Sequence, residues 1–424
     1  SSGWAGVGGT GASHRRAAGR WHPWPRRWCG VKLTPLGARL PSGVSRPACP
    51  ASAVLPPSVV VPLRVRRPLR LALRVTLVVV VLAVLGLVGT SRGRYLVRAA
   101  IEEGRLLARR RPIAALIADP ATDATTRAKL QLVLDARRFA IDSLGLRAGG
   151  EFTTFSRLDR DTLVLVLSAA YRDSLAFRTW WFPVVGRVPY LGFFDFGAAE
   201  RARDEAEADG WDAVLRPASA FSTLGWFDDP LVPTTLALDS LALAETVIHE
   251  LVHTTYYAPG EAVFNESMAN FIGTRGAERF FRARGMPAAA EAVARRWRSE
   301  LVLGGFWERT HAQLDSGFRA LPGDRAARLR WRERLFTAAL AELRGPVAQA
   351  ASLDSSRLAS LRLTTVSVLS GRLYRTGLPL FEAVLAREDG DIARATARLL
   401  TLARAHREDP WAGLRAWVAT PVSR

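Results

Sequence analysis

The chain has 424 residues, 49% of them hydrophobic, and a formal net charge of +20. That length and apolar content suffice for one large domain with appendages, or for two or three ordinary ones. The charge does not mark a nucleic-acid binder: residues 1–111 hold nineteen Arg and Lys32 against Glu102 and Glu103, leaving only +2 for the other residues.

Residues 1–70 are rich in Gly, Pro, Ser and Arg, lack periodicity, and read as a disordered segment or a basic tail that touches anionic lipid. The only cysteines, Cys29 and Cys49, lie there and make neither a metal signature nor a disulfide framework. Arg64, Arg66, Arg67, Arg70 and Arg74 then precede an uncharged run, Val75 to Ser91. As a helix the run spans about 26 Å, and Leu71 to Leu73 with a snorkelling Arg74 extend it toward the roughly 30 Å of a hydrocarbon core. Residues 71–91 are therefore expected to form a single transmembrane anchor that places the body outside the cytoplasm. A cleaved signal peptide fits the same pattern.

Apolar residues at helical spacing fill Arg94 to Leu144, with a break at Asp119-Pro120. Thr162 to Ser168 reads as one buried strand, and Phe182 to Phe194 as strand and turn crowded with aromatics. Ala198 to Ala208 reads as a polar helix and Trp211 to Leu215 as a strand, while Phe221 to Pro230 is too rich in breakers for regular structure. A helix is expected from Ser240 to Tyr257, stopped by Ala258-Pro259-Gly260, and another from Phe264 through Phe271. Beyond it nearly everything reads as helix, with stops near Gly285-Met286-Pro287, Gly304-Gly305, Pro322-Gly323, Gly345-Pro346, Gly377-Leu378-Pro379 and Asp409-Pro410. The fold class expected for residues 92–424 is α+β, mostly helical, with a small sheet.

Within the Ser240–Tyr257 stretch stands His249-Glu250-Leu251-Val252-His253. Residues four apart on a helix lie about 40° apart and one turn above each other, so both imidazoles can serve one zinc ion while Glu250 holds the metal-bound water. Catalytic zinc usually takes three protein ligands, and Glu266 lies thirteen residues after His253. A turn at Pro259-Gly260 would fold the second helix back, with small Ser267 and Ala269 permitting close approach. The alternative is a pair of satisfied core histidines with solvated carboxylates, and Asn265-Glu266-Ser267 also matches a glycosylation acceptor. With zinc present, Glu250 would act as general base, and an oxyanion donor would come from Tyr190, Tyr256, Tyr257, Tyr374 or His311. Tyr256 and Tyr257 read rather as packing groups. Glu245, one turn before His249, reads as a ligand-orienting group or a surface carboxylate. Glu261 is a candidate partner for a substrate ammonium.

Several segments together resemble the bacterial predicted-aminopeptidase family of gluzincin-like metallopeptidases. They are Phe182 to Gly186, Val188 to Phe194, Ser222 to Pro230, His249 to His253, and Phe264-Asn265-Glu266-Ser267. The resemblance covers residues 94 to 400 and implies a zincin-like metallopeptidase domain over 92–424, acting on peptides in the cell envelope. It implies Zn2+ on His249, His253 and Glu266, with Glu250 as base. Departures are Arg187 where members often carry Cys, no lipobox cysteine, and Thr364-Thr365-Val366 where an Asn-Asn-Ala-like run is expected; Tyr374 follows at a suitable distance. The expected partners are thus a peptide substrate and a membrane, with no nucleic acid. Zinc endopeptidase and a non-catalytic envelope protein with structural zinc remain as alternatives.

Overall fold

The computed structural model describes residues 89–157, 164–182, 186–217 and 230–421, with isolated positions between 72 and 86. The expected disordered segment 1–70, part of the expected span 71–91, and residues 221–229 lie outside the described residues. Among the described residues no helix is long and apolar enough to cross a membrane. Residues 94–424 form one unit.

It is mostly helical. Helix α1 (Ser91–Ala108) leads into strand β1 (Arg110–Pro112), α2 (Ile113–Ala118), α3 (Ala124–Leu144) and β2 (Thr154–Ser156). Then come β3 (Leu165–Ala170), β4 (Trp180–Phe182), β5 (Gly186–Val188), β6 (Tyr190–Phe193), α4 (Phe196–Ala208) and β7 (Asp212–Pro217). After α5 (Pro233–Leu236), the long helices α6 (Ser240–Thr255), α7 (Ala262–Ala283), α8 (Pro287–Ala320) and α9 (Arg325–Glu342) follow. A π turn at Leu343–Val347 and two short helices, α10 (Ala348–Ala350) and α11 (Ser355–Leu358), lead to α12 (Thr365–Leu373), α13 (Leu378–Arg387), α14 (Ile392–Ala405) and α15 (Pro410–Ala419).

The core grows from α6. Leu243, Ala244, Val247, Ile248, Leu251 and Val252 recur at helical spacing and are all fully buried. They pack with Leu130, Val133 and Leu144 of α3 and with Phe264, Met268, Phe271 and Ile272 of α7. Burying each large side chain stabilises by about 1.5–3 kcal/mol, so this stripe fixes α6 in the middle of the domain. Asp239 caps the helix by accepting from the backbone N–H groups of Leu241 (3.0 Å) and Ala242 (2.9 Å).

The sheets are small. In the largest, β3 runs between β6 and β7, antiparallel to both. Its Leu167, Ala169, Leu191, Phe193, Ala213 and Leu215 pack on Ala202 and Ala206 of α4. The register Ser168↔Tyr190, Ser168↔Val214, Val166↔Gly192 and Val166↔Arg216 puts these six residues on the opposite face. Buried Asp212 accepts from the Thr365 backbone N–H at 2.7 Å and pairs with Arg332, tying β7 to the start of α12.

Three expectations need correction. The stop at Gly304-Gly305 does not exist, because α8 runs unbroken from Pro287 to Ala320. Gly304 serves contact instead: a Cβ there would lie 2.9 Å from the Arg375 carbonyl oxygen. Of the strand expected over Thr162–Ser168, Thr162 and Leu163 lie outside the described residues, and the strand found is Leu165–Ala170, which takes in Ala169 facing α4. Gly273 and Gly276 bring α6 and α7 close, while Ser267 bonds the turn after α12 instead. A Cβ on Gly273 would lie 3.0 Å from the Glu245 carbonyl oxygen and 3.1 Å from His249 Cβ, and one on Gly276 would lie 3.3 Å from Ile248 Cγ2.

Gly273→Ala is expected to lower stability by about 1 kcal/mol, measured by urea denaturation. Overpacking costs about 1–3 kcal/mol and outweighs the roughly 1 kcal/mol that alanine gains over glycine in a helix. A raised urea midpoint would show that the helix backbones are not held apart by that Cβ.

Candidate metal centre

The apolar stripe of α6 leaves His249, Glu250 and His253 on its flank. The two histidines stand one turn apart, their rings edge to face with centroids 4.9 Å apart and their Nε2 atoms 3.2 Å apart. After α6 the chain turns over Tyr256 to Glu261, with Gly260 at φ +87°, which favours glycine. Asn265, fully buried in the first turn of α7, clamps that turn: its Oδ1 accepts from the Ala258 N–H at 2.9 Å and its Nδ2 donates to the Ala258 carbonyl at 2.8 Å. A glycan acceptor cannot be buried in this way, so the sequon is a coincidence of spelling. The next residue, Glu266, thereby faces the histidines. Its Oε2 lies 3.4 Å from His249 Nε2 and its Oε1 lies 3.6 Å from His253 Nε2.

These three separations match a metal's needs. Zinc held tetrahedrally at 2.0–2.1 Å places neighbouring ligand atoms about 3.3 Å apart. The same three residues form a group able to hold a metal ion, with all their ligand atoms within 4.8 Å of one another. Burial opposes the charged carboxylate of Glu266, but the hydrogen bonds of His249 and His253 outweigh it and hold the carboxyl at about 2. For His253, burial lowers the pKa, while the Glu266 carboxylate raises it by more. His253 Nδ1 is buried with no hydrogen-bond partner among the described residues.

Tyr374 completes one side. Ser267 Oγ donates to the Leu373 carbonyl at 3.2 Å and accepts from the Thr376 N–H at 3.1 Å, while Asn270 Nδ2 donates to the Tyr374 carbonyl at 2.9 Å. Arg375 pairs with Glu300 of α8 at 2.8 Å. These contacts fix the turn after α12 on α7 and bring the Tyr374 ring centroid to 6.2 Å from that of His249. Burial first, then the negative charge of Glu266, pushes the Tyr374 hydroxyl up to about 12, so it stays protonated at neutral pH. Tyr190 and Tyr257 are likewise raised by burial and by Glu266. Tyr257 is 56% exposed with its ring 6.4 Å from that of His253, so it borders the site rather than packing in the core. The charge of Glu250 acts on both His253 and Tyr374, which places its carboxylate in the same field.

A family model described as "putative aminopeptidase" matches residues 94–412. The chain belongs to that family. No curated protein and no solved structure matches it.

Within this aminopeptidase-family domain, other residues offered by the sequence fall elsewhere. His311, on α8, has Arg372, Asp315 and Arg319 as charged neighbours, and burial with Arg372 holds it at about 4. Tyr256 donates its hydroxyl to the Ala403 carbonyl at 2.7 Å and anchors α14. Glu261 has Asp409 as its charged neighbour. Glu245 is no surface carboxylate: burial pushes it up to about 7, although Arg296 lies 3.8 Å away. Thr364 and Thr365 have a structural role, with Thr364 closing a capping box on Ser367 at the start of α12. Asn265 as a clamp and Gly273 as the contact point were not legible as such, although both stand near the motif.

Asn265→Ala should leave the Ala258 N–H buried without its partner, at about 1–3 kcal/mol, and its carbonyl with the Glu261 N–H alone. Zinc affinity should fall about tenfold or more, because Glu266 loses its fixed starting point. Calorimetric zinc titration checks this, and an unchanged dissociation constant would show that the Ala258 clamp does not position Glu266.

Proposed function

We propose that the chain is a zinc-dependent peptidase of zincin-like, gluzincin-related build, acting as an aminopeptidase. Family membership supports peptide hydrolysis at the coarser level. The observation that carries the finer reading is the convergence of His249 Nε2, His253 Nε2 and the Glu266 carboxylate at 3.2–3.6 Å from two helices. His249, His253 and Glu266 would hold the ion. Zinc there supplies Lewis acidity, which makes a nucleophile available at neutral pH.

The remaining roles belong to the chain's own side chains. Glu250 follows His249 directly and has no ion-pair partner among the described residues, so its carboxylate is free to accept a proton and pass it to the leaving amine. A site that held zinc only to join two helices would have no use for such a group. Tyr374 keeps its proton at neutral pH and can donate a hydrogen bond to the oxygen that gains charge as the peptide bond is attacked. Tyr190 and Tyr257, bordering the carboxylate, supply aromatic walls.

We also propose that residues 71–91 anchor the chain in a membrane, with the domain outside the cytoplasm. The support is the uncharged run Val75 to Ser91 behind Arg74. Residues 74–78 are helical, and Val75, Leu77 and Val78 are each more than half exposed.

Purified protein is expected to carry about one zinc per chain by elemental analysis. Glu250→Gln should keep the metal and lose hydrolysis of free-amine peptides, while Tyr374→Phe should lower kcat about a hundredfold with little change in KM. Full activity in Glu250→Gln would sink the mechanism, and equal turnover of N-acetylated peptides would replace aminopeptidase by endopeptidase. Deleting residues 71–91 should move the protein from the membrane fraction to the soluble one; the full chain behaving as soluble would rule out the anchor.

A further inference from the structure

The strand β7 delivers a cation to the site that the roles above leave unused. Asp212 begins β7 and is fixed to the Thr365 N–H at the start of α12. Four strand residues later, about 13 Å on, stands Arg216. Nine helix residues after Thr365, also about 13 Å on, stands Tyr374. Helix α12 packs against β3 and β7, and the Asp212 side chain that holds its start lies on the same face of β7 as Arg216, so Arg216 stands on the sheet face that α12 covers. The sheet register adds that Arg216 lies on the same face as Tyr190. Consistent with both, the Arg216 charge acts on the hydroxyls of Tyr374 and Tyr190, opposing the rise that burial and Glu266 impose.

Arg216 is exposed, and no carboxylate pairs with it among the described residues. The acidic residue nearest in sequence, Asp212, is taken by Arg172, Arg332 and the Thr365 N–H. An arginine offers a planar fork of donors that suits a carboxylate in two-point contact. We propose that Arg216 binds a carboxylate of the substrate, downstream of the bond that lies at His249, His253 and Glu266, and so selects short or acidic peptides. This rests on the peptidase reading of the site. The Tyr374 ring lies 6.2 Å from that of His249 and its hydroxyl feels the Arg216 charge, so the bound carboxylate lies near that bond along the substrate. Two sources share this chemistry: the free α-carboxylate of a di- or tripeptide, and an acidic side chain in a longer one.

The test compares Ala-Ala-Ala, its C-terminal amide, and Ala-Glu-Ala-amide as substrates of the zinc-loaded full chain. One of the two carboxylate-bearing peptides should exceed Ala-Ala-Ala-amide in kcat/KM by about tenfold or more, and which one does so identifies the source. Arg216→Gln should bring that ratio close to one, and Arg216→Lys should restore part of it. Absence of a preference in the wild type, or a preference that survives Arg216→Gln, would overturn the proposal. Calorimetric binding of the same three peptides to Glu250→Gln separates the two readings. A binding preference for the carboxylate that adding Arg216→Gln abolishes, when the wild type hydrolyses none of the three peptides, would end the peptidase reading and leave the Arg216 site standing. No preference in either assay would remove the Arg216 site.

Discussion

Everything at the candidate centre depends on how closely two helix backbones can approach. Gly273 meets the Glu245 carbonyl and the Cα–Cβ of His249 with no side chain between them. At that separation a glutamate on α7 reaches two histidines on α6; with a larger residue it would fall short. The Asn265 clamp on Ala258 then sets the rotation of α7, so the carboxylate of Glu266 points inward rather than along the surface. Apolar burial supplies the energy for the pairing, while one glycine and one amide supply its geometry.

Charge follows from that geometry. Two imidazoles and a carboxylate share one half-buried space, and the carboxylate stays ionised there because both rings lean on it. The same negative charge raises every tyrosine hydroxyl within its reach, so Tyr190, Tyr257 and Tyr374 remain donors over the whole neutral range. An ionised carboxylate between two imidazoles and proton-holding phenols around it are two expressions of a single electrostatic arrangement. Arg216 opposes that rise at Tyr190 and Tyr374.

The helix pair could be read from the sequence because its signals are local. The His249/His253 spacing, the Ala258-Pro259-Gly260 stop and Glu266 thirteen residues on sit within one short stretch. The elements around it were legible as helices and strands, but not their partners. Nothing near Gly304 tells whether a glycine ends a helix or lets another segment pass close by, since the deciding atom is the Arg375 carbonyl. Likewise the strand β1, three exposed residues pairing with β2, has no hydrophobic period to reveal it. Arg216 was hidden for the same reason: α12 reaches its sheet face through Asp212 meeting Thr365 across 153 residues of chain.

The turn between α6 and α7 also divides the site by the order in which it can form. The Asn265–Ala258 clamp joins residues only seven apart, so the three candidate ligands come together when one short loop closes. The turn carrying Tyr374 docks on Ser267 across 106 residues, and the sheet is secured across more. Low sequence separation favours early pairing during folding. The candidate ligands therefore belong to a local hairpin, which low sequence separation favours to pair ahead of the walls around it.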